Sequence, residues 1–153
     1  MGEASSSPAK RVASDAAGGG GESAGGATKV FDLILFRPEI PGNTGNIIRL
    51  CANTGCVLHL VHPLGFTLDD ARLRRAGLDY HEWAQVRQHA SLEACRAVLG
   101  ERRVFALTAR GTTGYADVAY QRGDAFLLGP ESTGLPPEVL AGFPPGHQLR
   151  IPM

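Results

Sequence analysis

Residues 38–49 read Pro-Glu-Ile-Pro-Gly-Asn-Thr-Gly-Asn-Ile-Ile-Arg, a polar turn that follows an apolar run and leads into an amphipathic helical pattern. The two glycines allow the backbone to turn tightly and to approach a ligand closely. Asn43 and Thr44 are residue types that cap helices, so free backbone N–H groups at the helix start could face an anion. Arg49 adds a planar cation that suits a phosphate group. The stretch predicts a strand–turn–helix unit with an anion-binding turn.

A second polar loop, Gly-Pro-Glu-Ser-Thr-Gly at residues 129–134, follows a later apolar run in the same manner. Strand-like runs cover residues 30–36, 57–61, 103–108, 125–128 and 148–151, and helical patterns begin near residues 47, 69, 91 and 136. Alternating strands and helices predict an α/β domain with a mainly parallel sheet and helices on both faces. Ligands in such sheets bind at the carboxyl ends of strands. We therefore expect the two polar loops to meet over one site.

The amino-terminal residues 1–29 are mostly Gly, Ala and Ser, and their few charges cancel. Such a composition does not offset the entropy of ordering, so we expect a disordered tail. No apolar core of signal-peptide length precedes Val30. Residues 30–153 then form one domain, in which arginines and acidic residues balance and lysine is absent. Overall neutrality leaves RNA binding open, because a local basic patch is sufficient to attract phosphate.

The three cysteines, Cys51, Cys56 and Cys95, lack zinc-ligand spacing and are odd in number. Reduced thiols in a cytoplasmic protein are the simplest interpretation. His59 and His62 lie close together in the chain without an evident third ligand, so we expect an edge-strand position and no metal site. No stretch is long enough to span a bilayer, so the sequence predicts a soluble cytoplasmic protein.

Several stretches together resemble the motifs of the trefoil-knotted SPOUT RNA methyltransferases. They are residues 38–55, 72–81, 105–108, 129–136 and 151–153, and the match covers residues 32–153. Within the family, the TrmL-type group is the most similar. Its members methylate the ribose 2′-hydroxyl of the wobble nucleotide, a cytidine or uridine, in certain tRNAs.

The resemblance implies a trefoil-knotted α/β fold, a homodimer, and S-adenosylmethionine bent into the knot as methyl donor, without a metal ion. Composition and periodicity do not indicate the knot, which general rules of chain topology discourage. By motif position, Leu107, Gly129 and Ile151 are the expected cofactor-binding residues. They would hold the cofactor through backbone groups and apolar contacts.

By the same resemblance, Asn43, Arg49 and Glu131 are the expected catalytic residues. A ribose hydroxyl is a poor nucleophile, so its proton must be taken up or its charge stabilised. In related families an arginine beside an RNA phosphate is the proposed base. A guanidinium stays protonated in proteins, however, so we expect Arg49 to position the RNA and stabilise charge. Asn43 would orient Arg49 or the ribose, and Glu131 would brace the loops or orient the partner arginine.

Arg72, Arg74 and Arg75 form the predicted phosphate-binding patch for tRNA. Tyr80, His81 and the only tryptophan, Trp83, are candidates for stacking on anticodon bases, with packing against the sheet as an alternative of at least equal weight.

The resemblance also implies a Ser- and Asn-rich loop and a final helix beyond Met153, which would complete the knot and the dimer contact. We therefore expect a truncated chain with poor stability and weak activity. Three hypotheses follow: a tRNA ribose methyltransferase, a related enzyme acting on another RNA such as ribosomal RNA, or a catalytically silent RNA-binding or dimerisation module.

Overall fold

Short apolar runs and the segments between them form alternating strands and helices in the computed structural model, which describes residues 31–151. The strands are β1 (Asp32–Phe36), β2 (Val57–Val61), β3 (Val86–His89), β4 (Val104–Leu107), β5 (Thr113–Gly114), β6 (Ala125–Leu128) and β7 (Gln148–Arg150). The α-helices are α1 (Pro41–Thr54), α2 (Ala71–Arg74), α3 (Tyr80–Trp83), α4 (Leu92–Leu99) and α5 (Pro137–Leu140). Two 3₁₀ turns cover Tyr115–Asp117 and Pro145–His147.

The strands pair in the order β3-β2-β1-β6-β4-β7-β5, and each pairing within residues 31–151 is parallel. The predicted parallel α/β sheet is confirmed. Strand β1 lies between β2 and β6, so the chain changes winding direction beside β1. All strand carboxyl ends share one edge, where ligands of such sheets bind. The trefoil knot stays a prediction.

Two apolar clusters cover the two faces of the sheet, as the alternation of side chains along β1 requires. One cluster joins Ile48 and Cys51 of α1 to Leu35 of β1 and to Leu58 and Leu60 of β2. The other contains Ile34, Phe36, Val61, Cys95, Leu99, Val104, Ala106, Ala125, Leu127, Leu135, Leu140 and Phe143. Helices therefore pack on both faces, as predicted.

Helix α1 begins earlier than its apolar pattern indicates. Pro41 occupies the first helical position, where its fixed φ and missing N–H are tolerated. The residue before it, Ile40, is the N-cap and makes no side-chain capping hydrogen bond. Asn43 and Thr44 therefore lie inside the first turn, and the expectation that they cap the helix was wrong. Gly55, with φ of 83°, ends the helix as predicted.

The two glycines of the 38–49 stretch are helical and do not form the expected tight turn. Gly42 is exposed, with open space where a Cβ would lie. Gly45 is buried, and a Cβ there would lie 3.2 Å from Ala76 Cβ and 3.4 Å from Leu73 Cδ1. Its small size therefore lets α1 approach the segment that follows α2.

Strands β3 and β5 were not predicted, because the sequence there is short and polar. Strand β3 reads Val-Arg-Gln-His and lies at the edge of the sheet. Strand β5 has only two residues, within the expected loop 111–114. The expected disordered tail, residues 1–29, lies outside the described residues, as does Val30.

Candidate active site

Three neighbouring strands, β6, β4 and β7, bring the predicted cofactor-binding residues to one edge of the sheet. Leu107 ends β4 and pairs with Leu149, Gly129 follows β6, and Ile151 follows β7. Leu107 is half-buried and Ile151 is 37% exposed, so apolar side chains remain uncovered there. Backbone groups at strand ends and uncovered apolar side chains fit the expected mode of S-adenosylmethionine binding.

Gly129 lies where the loop after β6 folds back on itself. A Cβ at this position would lie 2.3 Å from the Leu135 backbone nitrogen and 2.5 Å from the Gly134 carbonyl carbon. Gly134 N–H also donates to the Pro130 carbonyl at 2.8 Å. A side chain at residue 129 is therefore incompatible with this closed loop, which presents its backbone at the strand end.

The two polar loops are in contact through a reciprocal pair of glutamates. Glu131 accepts hydrogen bonds from the backbone N–H of Glu39 at 2.7 Å and of Ile40 at 3.3 Å. Glu39 in turn accepts from Ser132 N–H at 2.9 Å and from Ser132 Oγ at 3.1 Å. We refer to Glu39, Glu131 and Ser132 as the glutamate clamp. The two loops therefore meet, as predicted.

Glu131 takes the place of the missing side-chain cap of α1. Its carboxylate binds the N–H groups that precede the first helical turn, where a negative charge also interacts favourably with the helix dipole. Glu39 is a site residue that the sequence analysis did not single out. The available signal was an acid placed directly before Ile-Pro at a helix start.

Arg49 is engaged by the segment around α3. Its Nε donates to Glu82 Oε2 at 3.1 Å, and its Nη2 donates to the Ala76 carbonyl. Asn43 is exposed and makes no side-chain hydrogen bond within residues 31–151, so Asn43 does not orient Arg49. The side chain that contacts Arg49 is Glu82, which the sequence analysis also missed.

The expected catalytic residues therefore fall into two groups. Glu131, in the loop that follows β6, contacts the start of α1. Arg49 lies nine residues after Ile40, about 13 Å along the helix axis at 1.5 Å per residue. It faces α3, which leads into β3 at the far edge of the sheet. Within residues 31–151, no contact joins the two groups.

The three predicted RNA-binding arginines are exposed on and after α2. Arg72 pairs with the N-cap residue Asp70, and its hydrogen bond lowers the pKa of that carboxyl. The Arg72 side chain is still 63% exposed. Arg74 donates to the Asp69 carbonyl at 2.6 Å. The patch is thus preformed and accessible.

The aromatic residues beside the patch divide into two kinds. Tyr80 is 87% exposed and His81 is exposed, so neither packs against the sheet. Trp83 packs against the apolar cluster under α1. With Leu73 and Leu78 it lines a cleft of about 620 Å³ beside Arg74.

A buried hydrogen-bonded chain lies on the opposite face of the sheet, beneath α4. Asp32 Oδ2 is 2.7 Å from His59 Nε2, and His59 Nδ1 is 2.8 Å from His89 Nε2. Arg102 donates to both oxygens of Asp32. His59 therefore lies in the interior strand β2, so the expected edge position was wrong.

The ligand atoms of His59, His89 and Cys95 lie within 4.8 Å of one another. A hydrogen bond joins ring nitrogens of the two histidines, so we interpret the group of His59, His89 and Cys95 as structural. Burial lowers the pKa of His89 to about 4, assisted by the nearby His59. Burial also raises the pKa of Cys95 to about 12. These shifts favour a neutral imidazole and a protonated thiol.

Comparison with known proteins gives consistent results. The sequence matches the SpoU rRNA methylase family over residues 31–153. It is 57% identical over 124 residues to a tRNA (cytidine(34)-2'-O)-methyltransferase of Methylovorus glucosotrophus, covering 81% of this chain and 80% of that protein. The corresponding enzyme of Escherichia coli K12 is 51% identical over 124 residues, covering 81% and 79%.

Solved structures agree with these sequence matches. One, concerned with the 2-OH methylation of C/U34 on tRNA, superposes with a TM-score of 0.75 at 46% identity, covering 84% of this chain and 82% of that chain. An AdoMet-bound rRNA methyltransferase of Sinorhizobium meliloti gives a TM-score of 0.69 at 25% identity, covering 82% of this chain and 48% of that chain.

No helix within residues 31–151 has the length and apolar character to cross a membrane.

Proposed function

The chain belongs to the SpoU rRNA methylase family, and on that premise we propose that it transfers a methyl group from S-adenosylmethionine to the ribose 2′-hydroxyl of the wobble nucleotide in tRNA. The observation that carries the proposal is the similarity, over four fifths of the chain, to tRNA (cytidine(34)-2'-O)-methyltransferases. The SPOUT resemblance of the sequence motifs agrees with this family membership.

The residues at the carboxyl ends of β6, β4 and β7 would hold the cofactor. When bound, S-adenosylmethionine supplies an electrophilic methyl group on a sulfonium centre. Leu107 and Ile151 offer apolar contacts, and the closed loop at Gly129 offers backbone groups. The main task of the protein is then to align the acceptor with the donor.

Arg49 would bind an RNA phosphate and stabilise the charge that develops on the ribose oxygen. A guanidinium is suited to this task because it is a planar cation with several N–H donors. Glu131 would keep the start of α1 against the loop that carries Gly129, and Asn43 would contact the ribose. These roles rest on motif position, and the glutamate clamp supports the bracing role of Glu131.

The face formed by Arg72, Arg74, Arg75, Tyr80 and His81 would bind the anticodon arm. All five side chains are exposed on one short segment, which offers cations for phosphates and rings for bases. We further propose that the protein acts as a homodimer in the cytoplasm. A second protomer would explain how Arg49, which faces α3, acts beside a cofactor held at β6, β4 and β7.

The proposal is tested in two reactions. Each contains the purified chain and labelled S-adenosylmethionine, the first with bulk tRNA and the second with ribosomal RNA. Label in tRNA that maps to nucleotide 34 is expected. Label in ribosomal RNA alone would replace the proposal with the rRNA alternative. Specific RNA binding without label in either RNA would favour the silent-module alternative.

A further inference from the structure

Arg49 is held along one edge of its guanidinium. Nε and Nη2 lie on the same edge of the planar group, and they donate to Glu82 Oε2 at 3.1 Å and to the Ala76 carbonyl. A guanidinium has five N–H donors, so three remain on Nη1 and Nη2 without a recorded partner within residues 31–151. That remaining edge can bind two oxygens of a phosphate.

Glu82 is itself fixed at the carboxylate oxygen that does not contact Arg49. Oε1 accepts from Asp79 N–H at 2.9 Å, while Glu82 N–H donates to Asp79 Oδ1 at 3.0 Å. These two bonds form the capping box of α3. The Glu82 side chain is only 13% exposed, against 39% for Arg49. The carboxylate is therefore anchored before it meets the guanidinium.

The carbonyl of Ala76 is held in place by the packing of α1. Gly45 on α1 lies so close that a Cβ there would be 3.2 Å from Ala76 Cβ. Gly77 follows with φ of 75°, a left-handed turn that redirects the chain towards α3. The segment from Ala76 to Glu82 is thus a preformed bracket around one edge of Arg49.

We propose that Glu82 is a positioning residue for Arg49. Glu82 holds Nε while the Ala76 carbonyl holds Nη2, which leaves the donors on the Nη1–Nη2 side of the guanidinium for a phosphate of the RNA. The inference rests on the proposed function, in which Arg49 contacts the RNA. Its physical benefit is preorganisation, because a long side chain fixed before binding loses less freedom when the RNA arrives.

A purely structural role, the capping of α3, is the competing explanation for Glu82. The two roles can be separated, because Asp79→Ala removes the side chain that caps Glu82 N–H and leaves the Arg49–Glu82 pair. Glu82→Gln instead perturbs the Arg49–Glu82 ion pair, because it keeps the size of the side chain and removes its charge. Asp79→Ala is therefore the matched control.

The first measurement follows the Arg49 Nε–H signal by ¹H–¹⁵N NMR in the full chain, with Arg49→Lys used for assignment. We expect a signal protected from exchange in the wild type and in Asp79→Ala, and its loss in Glu82→Gln. An equally protected signal in Glu82→Gln would overturn the inference without reference to activity.

The second measurement compares the affinities of the variants for a tRNA anticodon stem-loop. We expect Glu82→Gln and Arg49→Ala each to weaken binding, and the double variant to bind no more weakly than Arg49→Ala. Full additivity would assign Glu82 a role independent of Arg49 and would overturn the inference.

The third measurement is methyl transfer to tRNA. Glu82→Gln should lower kcat by about tenfold to a hundredfold, the cost of misplacing a reacting group, with KM for S-adenosylmethionine unchanged. Asp79→Ala should stay close to the wild type, and an equal loss in both variants would contradict the proposal. The two proposals can also fail separately. If the wild type transfers no methyl group, but the effects of Glu82→Gln and Arg49→Ala on RNA affinity are not additive, the proposed function is refuted and the inference stands.

Discussion

Glu39 and Glu131 each hold the backbone of the opposite loop, and together they tie the start of α1 to the loop after β6. Both carboxylates accept hydrogen bonds from backbone N–H groups, which are strong because the acceptor is charged. Their positions in the chain are 92 residues apart. A sequence motif can indicate that each acid belongs to a site, but it cannot indicate which backbone group each one binds.

The replacement Glu131→Ala should lower the free energy of unfolding by about 1–2 kcal/mol, because it removes the carboxylate that accepts from the N–H groups of Glu39 and Ile40 before α1. Urea denaturation measures this value. Glu101→Ala, an exposed acid beyond α4, is the control and should change stability by less than about 0.5 kcal/mol. Equal effects of the two replacements would show that Glu131 contributes nothing to the free energy of unfolding.

The three cysteines should differ in reactivity. Burial raises the pKa of Cys51 and of Cys95 to about 12, so almost no thiolate forms at neutral pH. Cys56 is only partly buried. We expect iodoacetamide to alkylate Cys56 in the native protein and the other two only after denaturation, as mass spectrometry can determine. Rapid native labelling of Cys95 would contradict the buried position of its side chain beneath α4.

At the scale of elements, apolar patterns predicted β2 and β6 with their observed bounds, and Ser91 and Gly100 correctly delimited α4. The start of α1 was missed for a physical reason. Its cap comes from Glu131, which is distant in sequence, whereas sequence rules search for a cap beside the helix. Strands β3 and β5 depend on neighbours for their hydrogen bonds and carry little apolar signal of their own.

The loop after β6 should be intolerant of any side chain at residue 129. Gly129→Ala places a Cβ 2.3 Å from Leu135 N, so the loop must open, at a cost of about 1–3 kcal/mol. Gly42→Ala is the matched control, because it lies in α1 with open space around it and should stabilise the helix by about 0.5–1 kcal/mol. Thermal unfolding compares the two. A neutral Gly129→Ala variant would mean that the loop is not closed as described.

At the scale of the whole molecule, the order of the sheet determines which residues can cooperate. The order of the strands along the chain does not predict that β6 lies between β1 and β4 in the sheet. That position brings the 38–49 stretch, which follows β1, into contact with the loop after β6. The parallel α/β class was predictable from alternating elements, while the strand order came only from the structure. The same order separates Arg49 from Leu107 and Ile151, which is why a second protomer belongs to the proposal.

The buried chain Asp32–His59–His89 joins three strands and should make global stability depend on pH. The pKa of His89 falls from 6.5 to about 4 on folding, so the unfolded state binds a proton more readily in this range. Stability is then fully present above pH 6.5 and decreases as the pH falls towards 4, by up to about 3 kcal/mol.

Urea denaturation at several pH values tests this dependence. The slope between pH 4 and 6.5 should be smaller in His89→Gln than in the wild type, because the variant lacks the titrating group. His62→Gln, a partly exposed histidine in the same region, should keep the wild-type slope. An unchanged slope in His89→Gln would show that another group is responsible.

The central claim is that strand ends of this sheet align a methyl donor with a ribose hydroxyl of the tRNA wobble nucleotide. Its most direct test compares two anticodon stem-loops that differ only by a 2′-deoxy sugar at nucleotide 34, each incubated with the enzyme and labelled S-adenosylmethionine. We predict label in the ribose-containing RNA and none in the deoxy form. Equal label in both RNAs would place the methyl group elsewhere and contradict the claim.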